Sequence, residues 1–350
     1  MNTKRKNLSD TTILLTITIV VFFAMYIGAM IFQGKGFLKL QTFLNILNAN
    51  AALILMSCGL TLVMIIGSID ISVGGVAALV SMCCAVYLDR NVLNPEQNLT
   101  PGNVAVSMLI ALGIGLAYGL IQGYLIAYLD IQPFIVSLAG MFFARGMTTI
   151  VHTNPFNVEN EAFNKLKEPI RIAFLGTVNK KGKLVPAKIE LGVFVALLVV
   201  LILFFVLRYT KLGRSFYAVG GNKTSALMLG INVKRTKFFA HLMCGILAGI
   251  GGYVYFLHVG SGAASHASGA EMNAIASSII GGTMLTGGVG NIIGTLFGVM
   301  SLATIQSIVS SAGFDQAWWT GITVAGMLCL FLVVQSIVIA RKKKSLKKQA

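Results

Sequence analysis

The sequence predicts an all-α protein, a polytopic helix bundle that crosses a membrane about ten times. Hydrophobic residues make up 56% of the 350 residues, and the mean hydropathy is +0.83. Charged residues make up 11%, less than half of the ~25% that is usual in soluble domains. The charges cluster in short segments, and the apolar stretches between them are long enough to cross ~30 Å of hydrocarbon as helices. No soluble domain large enough to fold alone is predicted.

Ten apolar segments are the predicted spans. They are Thr12–Phe32, Phe43–Ile66, Ile71–Leu88, Val104–Leu129, Phe134–Val151, Leu191–Leu207, Phe238–Leu257, Met272–Met284, Val289–Val309 and Trp318–Ala340. The segment Met272–Met284 is short for a full crossing, so it predicts a broken or half-membrane helix that packs inside protein. The first segment is too long for the apolar part of a signal peptide, and we expect it to be retained.

The even number of spans places both termini on one side of the membrane, and the density of Lys and Arg makes that side the cytoplasm. We therefore expect cytoplasmic tails at 1–11 and 341–350 around a single transmembrane domain, 12–340. The basic loop 208–237 is predicted on the cytoplasmic side. The loop 152–190 falls outside by the same count, although its seven Lys and Arg residues run against the positive-inside rule.

Composition and motifs exclude several other classes. The net charge of +16 does not indicate nucleic-acid binding, because the basic residues flank apolar spans, where they meet membrane lipid. All five cysteines lie in apolar segments without metal-ligand spacing, so neither a metal site nor a disulfide framework is predicted. No nucleophile elbow, HExxH, CxxC or Walker A motif is present, which disfavours an enzyme and leaves no catalytic residue to name.

Glycines recur at every fourth position in two of the predicted spans. The two sets are Gly115, Gly119 and Gly123, and Gly290, Gly294 and Gly298. This spacing places the glycines on one helix face, where a neighbouring backbone can approach closely. The pattern predicts tight helix packing, and packing without a further role is the favoured interpretation.

Polar and ionisable groups within or beside the spans are the candidates for a translocation pathway or gate. They are Asp70, Ser72, Gln122, Glu271 and Asn273, and Arg145 also interrupts a span. Burying a charge in lipid is costly, so such groups face protein, water or a partner. A structural interpretation stays open, in which Asp70 and Glu271 stabilise the starts of helices. His241 and His258 are interpreted as hydrogen-bonded core residues.

The basic loop 208–237 contains one segment with clear helix signals. Asn222 is a typical N-cap residue, and Gly230 is a typical residue at the end of a helix. The pattern predicts a short helix between them. From spacing alone, docking to a soluble partner and lying on the membrane surface are equally favoured.

Four motifs, in order along the chain, resemble the permease subunits of bacterial ABC sugar importers, in the ribose/galactose/xylose permease family. They are Gly67–Gly74, Pro133–Met141, a pattern running from Gly213 to Ile231, and Glu271–Gly290. Three positions depart from the family pattern: Ser68, Ser225 and Asn273. The family has an aspartate where Asn273 stands, so a role based on charge is not expected there.

The resemblance implies a vitamin-B12-importer-like ABC permease architecture and a monosaccharide substrate. Leu138–Gly146 and Ser225–Gly230 are most like the branch that carries furanose sugars such as galactofuranose or fructose. A second permease subunit, identical or related, completes the pathway, and an extracytoplasmic binding protein delivers the sugar. A cytoplasmic ATPase docks on the 208–237 loop and binds the ATP and Mg²⁺, so no cofactor is expected on this chain.

The same resemblance implies which residues couple transport to the ATPase. They are Arg214, Gly220, Gly221, Asn222, Ser225, Ala226 and Gly230, with the small Ser225 and Ala226 expected on the docking face. The alternative classes are a cation-coupled secondary transporter or channel, and a membrane-bound enzyme. A cation-coupled carrier would lose uptake when the ion gradient collapses while ATP is maintained, whereas an ABC permease would not.

Overall fold

The computed structural model describes residues 10–33, 37, 39–89, 102–178, 184–313 and 317–347. Ten helices correspond to the predicted spans: α1 Asp10–Gln33, α2 Leu40–Ile65, α3 Val73–Leu88, α4 Val104–Ala127, α5 Pro133–Val151, α7 Leu191–Tyr209, α10 Val233–Val259, α11 Ala270–Ile280, α12 Ile292–Ser311 and α13 Ala317–Lys347. The connections hold β1 Phe156–Asn157, α6 Glu161–Lys167, β2 Ile170–Val178, β3 Leu184–Ile189, α8 Lys211–Gly221, α9 Lys223–Met228 and β4 Ser261–Gly262.

The described helices match the predicted all-α membrane bundle, although they are not of equal length. Seven of them, α1, α2, α4, α5, α7, α10 and α12, are long and apolar enough to cross a membrane. α3 and the apolar part of α13 are shorter. α11 has 11 residues, which at ~1.5 Å each cover about half of the hydrocarbon core. The prediction of a half-membrane helix at this position is therefore confirmed.

The centre of the bundle is formed by α2 together with α10 and α3. α2 contacts α7, α10, α11 and α12, and every residue from Ala51 to Ile65 is buried. In contrast, α4, α5 and α7 bury one face and leave large apolar side chains such as Leu109, Phe142 and Leu198 exposed. An apolar surface of this kind fits lipid or a second membrane subunit.

The first glycine set brings α4 against α10 with almost no space between the backbones. A Cβ atom on Gly115 would lie 2.6 Å from the carbonyl oxygen of Gly245 and 2.9 Å from the Cα atom of Gly249. A Cβ atom on Gly119 would lie 2.7 Å from the carbonyl oxygen of Leu242. Gly123 lies in the same row, against Phe238. Only glycine allows this approach.

The second glycine set lies against α11 and the segment that follows it. A Cβ atom on Gly298 would lie 2.7 Å from the amide nitrogen of Gly281, and Gly294 packs directly on the Gly281 carbonyl. Gly290 faces the side chains of Ile65 and Thr283. Gly115, Gly119 and Gly123 therefore share one face of α4, as the spacing predicts. Of the second set, Gly294 and Gly298 belong to α12, whereas Gly290 precedes this helix, so the three do not form one helix face.

We predict that Gly115→Val lowers the stability of the folded permease and that Gly113→Val is tolerated. Both glycines belong to α4, but a Cβ atom on Gly113 meets nothing within 4 Å. Overpacking at Gly115 should cost ~1–3 kcal/mol or more. Thermal unfolding of the two purified variants in detergent measures the difference. Equal loss in both variants would show that helix propensity, and not helix packing, accounts for the effect.

The connection 152–190 is more structured than the all-α prediction suggests. It contains α6 and an antiparallel hairpin in which Ile170 of β2 pairs with Ile189 of β3. The β-branched residues in these strands favour this conformation, but the many interleaved charges made the segment resemble a loop. Lys180, Lys181 and Lys183 lie outside the described residues.

The same connection is attached to one end of the bundle. Asn160 caps α6 and donates hydrogen bonds from Nδ2 to the carbonyl oxygens of Leu88, at 3.2 Å, and Gly102, at 3.1 Å. The Nζ atom of Lys167 donates to the carbonyl oxygen of Val259 at 3.0 Å. α7 starts directly after this connection and ends directly before α8. The 152–190 and 208–237 loops therefore lie at opposite ends of the bundle.

Candidate translocation and coupling sites

Three of the five predicted pathway residues form one hydrogen-bonded group at the junction of α2 and α3. The Oδ1 atom of Asp70 accepts hydrogen bonds from the backbone nitrogen of Ser72 at 2.9 Å and from its hydroxyl at 2.6 Å. The Nε2 atom of Gln122, in α4, donates to the Ser72 hydroxyl oxygen at 2.9 Å. All three side chains are buried. The group therefore fixes the short non-helical segment before α3 against α4.

His241 of α10 lies next to this group as a hydrogen-bonded core residue, as the sequence suggested, but its partners were not predicted. Its Nδ1 atom lies 3.9 Å from Oδ2 of Asp70, and its Nε2 atom lies 3.0 Å from the Ser68 hydroxyl. His241 is completely buried. Asp70 does not cap α3, because the N-cap position is occupied by Ser72 and carries no side-chain cap hydrogen bond. The carboxylate accepts from the Ser72 amide just before α3 and lies near His241 of α10, so Asp70 is not the N-cap residue, although it lies at the start of α3.

Glu271 belongs to a second group, which is built around Arg145 of α5. The Nη2 atom of Arg145 lies 3.5 Å from Oε2 of Glu271. The same guanidinium donates to the carbonyl oxygens of His266, at 2.6 Å, and Ala267, at 2.7 Å. The Glu271 carboxylate lies directly against the Cα atom of Gly74, where any Cβ atom would overlap it. Arg145 thus holds the segment before α11 onto α3 and α5.

Asn273 lies apart from both groups. It follows Glu271 by two positions in α11, and residues two apart in a helix do not share a face. It borders a cavity of about 280 Å³ between α2, α10 and α11. The polar side chains around this cavity are Asn50, Tyr255, Ser265, Ser268 and Asn273. None of them carries a charge, and amide and hydroxyl groups both donate and accept hydrogen bonds. The cavity is therefore suited to a neutral ligand with several hydroxyl groups.

The short helix predicted in the basic loop is present as α9. The Oδ1 atom of Asn222 accepts a hydrogen bond from the Ser225 nitrogen at 2.9 Å. Gly230 has a φ angle of +77°, a left-handed conformation that glycine adopts without strain. The following amide, of Ile231, donates to the carbonyl oxygen of Ala226 at 3.0 Å. Both predicted ends of the helix are thus built as the residue types indicate.

The expected docking face of this helix needs a correction. Ala226 is only 1% exposed and packs into the protein, so it does not present a surface to a partner. Ser225 is exposed. The residues that project most are apolar: Leu227 is 64% exposed, Met228 82% and Leu229 78%. The outer face of α9 is therefore an apolar tip, defined as Leu227–Leu229. At ~100° per residue, Met228 is the member of this tip that lies opposite Ala226.

The remaining predicted coupling residues belong to α8 and do not form one surface. Gly220 packs against the carbonyl of Ile65, and a Cβ atom there would lie 2.5 Å from the Gly288 nitrogen. A Cβ atom on Gly221 would meet nothing within 4 Å. The Nη1 atom of Arg214 donates to the carbonyl oxygen of Tyr209 at 3.3 Å. Gly220 is therefore a packing residue inside the protein.

A backbone junction connects the α8–α9 loop to the polar groups of the bundle. The Gly288 amide donates to the carbonyl oxygen of Ile65, the last residue of α2, at 2.8 Å. A Cβ atom on Gly287 would lie 2.8 Å from the Gly67 Cα atom and 2.9 Å from the Gly220 carbonyl oxygen. Movement of α8 or α9 would therefore act directly on the segment that carries Asp70.

A membrane helix bundle that encloses Asp70 and the partly buried Arg145–Glu271 pair defines a polytopic membrane transport protein, because ionisable side chains inside a membrane mark pathways and gates. The chain belongs to the permease family of ABC transporters: residues 42–332 match the family described as branched-chain amino acid transport system / permease component. Members of this family are permease components of multi-pass type in the cytoplasmic membrane, and ATP hydrolysis belongs to a separate subunit.

Individual relatives match over nearly the whole chain. An inner membrane ABC transporter permease protein of Escherichia coli (strain K12) is 34% identical over 92% of this chain and 91% of its own. The fructose import permease protein of Bifidobacterium longum (strain NCC 2705) is 31% identical over 92% and 90%. The ribose import permease protein of Escherichia coli (strain K12) is 30% identical over 81% and 82%. No solved structure is a significant match.

Proposed function

We propose that this chain is the permease of an ABC importer for a monosaccharide, and that the substrate passes the cavity bordered by Asn273. The observation that carries the proposal is the set of uncharged amide and hydroxyl groups around that cavity, which matches the donors and acceptors of a sugar. Relatives that are named for fructose and ribose import support the class of substrate. Fructose, named for one relative, is one of the sugars of the branch that Leu138–Gly146 resembles.

We infer that two polar groups of the bundle act as gates when the sugar passes this cavity. Arg145 and Glu271 hold the segment that enters α11, and Asp70, Ser72 and Gln122 hold the segment that enters α3. Both segments are non-helical stretches inside the bundle. Such stretches are tolerated in membranes only where they are enclosed in protein or border a cavity.

The coupling step is assigned to α9. Permeases of this kind work in general with an ATPase and a binding protein; we propose that the apolar tip Leu227–Leu229 seats in a pocket of the ATPase. Nucleotide binding would then bias an inward–outward equilibrium of the permease pair. The backbone junction at Gly220 and Gly287 would carry this bias to the segment with Asp70. The exposed apolar faces of α4, α5 and α7 leave room for a second, identical or related permease subunit.

Reconstitution tests the proposed function and its direction. In proteoliposomes, ATPase subunit and Mg-ATP that are added outside can act only on permeases whose α9 faces the outer solution. In these permeases α6 faces the lumen, where the binding protein is enclosed. We expect hydrolysis to rise when that binding protein carries its sugar. Stimulation only by binding protein on the side of the ATPase would reverse the orientation. Loss of uptake on collapse of ion gradients, with ATP maintained, would instead favour the cation-coupled carrier.

A further inference from the structure

A second cavity, of about 540 Å³, lies at the end of the bundle that carries α8. Its walls come from the start of α1, from the last turns of α7, from α8 and from the segment that leads into α12. The lining residues that matter most are Phe204, Leu207, Arg208, Arg214 and Tyr217. It shares no residue with the cavity next to Asn273, and sugar transport as proposed above does not use it.

Two guanidinium groups give this cavity a strong positive charge. Arg208 and Arg214 both line it, and none of the lining residues is acidic. Among the side chains that the structure describes, which do not include that of Asp10 next to Thr11, neither arginine lies within 4.0 Å of a carboxylate oxygen. The loop 208–237 as a whole has seven Lys and Arg residues and no Asp or Glu. Arginine binds phosphate better than other side chains do, because its planar fork matches two oxygens at once.

The wall behind the arginines is rigid and partly positive. The Tyr217 hydroxyl donates to the carbonyl oxygen of Gly290 at 2.8 Å and so fixes α8 to α12. Burial raises the pKa of Tyr217 to about 12, while the nearby charge of Arg208 acts in the opposite direction. The phenol therefore stays protonated and keeps this hydrogen bond. The amino end of the 20-residue helix α12 also faces the cavity and adds to the positive potential.

The opposite wall is apolar and belongs to the last turns of α7, one of the helices long enough to cross a membrane. Phe204 and Leu207 belong to the last apolar turns of α7, and Arg208 is the first charged residue after them. Tyr209 is exposed and stacks on Phe205, with ring centroids 5.7 Å apart. Aromatic residues in this position are typical of the membrane–water interface. A ligand in the cavity would thus meet cations on one side and an apolar helix on the other.

We propose that this cavity binds the phosphate group of an anionic phospholipid, with the guanidinium groups of Arg208 and Arg214 on the phosphate and an acyl chain along Phe204 and Leu207. The alternative ligand with the same chemistry is a soluble phosphate compound. The apolar wall next to the arginines favours the lipid, because a soluble anion makes no use of Phe204 or Leu207. Lipid in this site would bridge α7, α8 and α12, the elements that position the α8–α9 loop.

The test measures phosphatidylglycerol bound to the purified full-length permease, without ATPase, by mass spectrometry after exchange into detergent. We expect the Arg208→Gln/Arg214→Gln variant to retain about tenfold less than the unmodified chain, since each charge contributes to binding and both are lost. Phosphatidylcholine retention should not change. The matched control is Lys211→Gln/Lys234→Gln, which removes two charges from the same loop without touching the cavity.

Each outcome decides the proposal. Selective loss of phosphatidylglycerol in the arginine variant, with an unchanged unfolding temperature in the presence of excess lipid, supports the site. Equal loss in the lysine control would show attraction to the whole basic loop and overturn it. Displacement of the lipid by millimolar inorganic phosphate would assign the cavity to a soluble phosphate. These readouts do not involve transport, so they stand apart from the outcome of the reconstitution.

Discussion

Met228→Asp should abolish sugar-stimulated ATPase activity and uptake while the permease still inserts and folds. Met228 is the most exposed of the three residues of the apolar tip, at 82%, and it makes no contribution to the buried bundle. Truncating or charging an anchor at the centre of an interface costs roughly 2 kcal/mol or more, which is about 30-fold or more in affinity. Co-purification of the ATPase with the permease, and hydrolysis by the mixture, measure this loss.

The matched control for this prediction is Thr224→Asp, which adds the same charge to the same helix. Thr224 is exposed and lies in the first turn of α9, where a carboxylate is well tolerated. We expect at most a modest effect on hydrolysis. Unchanged ATPase association in the Met228→Asp variant would contradict the docking role. The interpretation of α9 as a helix on the membrane surface, which the sequence left open, would then replace it.

The sequence suggested that Ala226 lies on the docking face, so that Ala226→Arg would test docking. In the structure the same variant tests folding. Because Ala226 is buried and its carbonyl accepts the hydrogen bond that closes the end of α9, an arginine there would disrupt the loop itself. The sequence pattern identifies small residues as permissive, but it does not tell which side of a six-residue helix faces inward. That choice depends on the packing of α8 and α9 together.

The fold was largely predictable because each membrane helix is specified locally. An apolar run followed by charges defines a span without knowledge of its neighbours. One class of error concerns charged helix ends. α10 begins at Val233, capped by Asn232, five residues before the predicted start at Phe238. Lys234, Arg235 and Lys237 are helical although they are not apolar, so hydropathy alone excludes them from the span.

The candidate site was predictable only where its partners are close in sequence or share a motif. Asp70 and Ser72 are two residues apart, and their hydrogen bond follows from a local turn. His241 and Arg145 meet Asp70 and Glu271 through long-range packing. Nothing in a single sequence pairs residues so far apart. The buried ions could be recognised individually, because charges inside spans are costly, but their partners required the arrangement of α5, α10 and α11.

Arg145→Leu should have the largest effect on the permease itself, removing transport and most of the folded protein. The variant leaves the Glu271 carboxylate without its cation and two carbonyl groups, of His266 and Ala267, without their donor. The pair is partly buried, with side-chain exposures of 23% for Arg145 and 12% for Glu271, so its loss should cost less than the ~3–5 kcal/mol typical of a fully buried pair; the two carbonyl groups left without a donor add to that cost. Yield and thermal unfolding in detergent measure this loss. Arg171→Leu, which removes an exposed arginine from β2, is the control and should leave both unchanged.

A double variant separates the ion pair from the two backbone hydrogen bonds. In Arg145→Leu/Glu271→Leu the uncompensated carboxylate is gone, so stability should recover by a large part of the loss. Transport should stay absent, since the segment that enters α11 is no longer held on α5 and α3. If the double variant were no more stable than Arg145→Leu, the carbonyl hydrogen bonds would account for the whole effect. Glu271 would then have no energetic link to Arg145, and the proposed gate would be reduced to the backbone clamp.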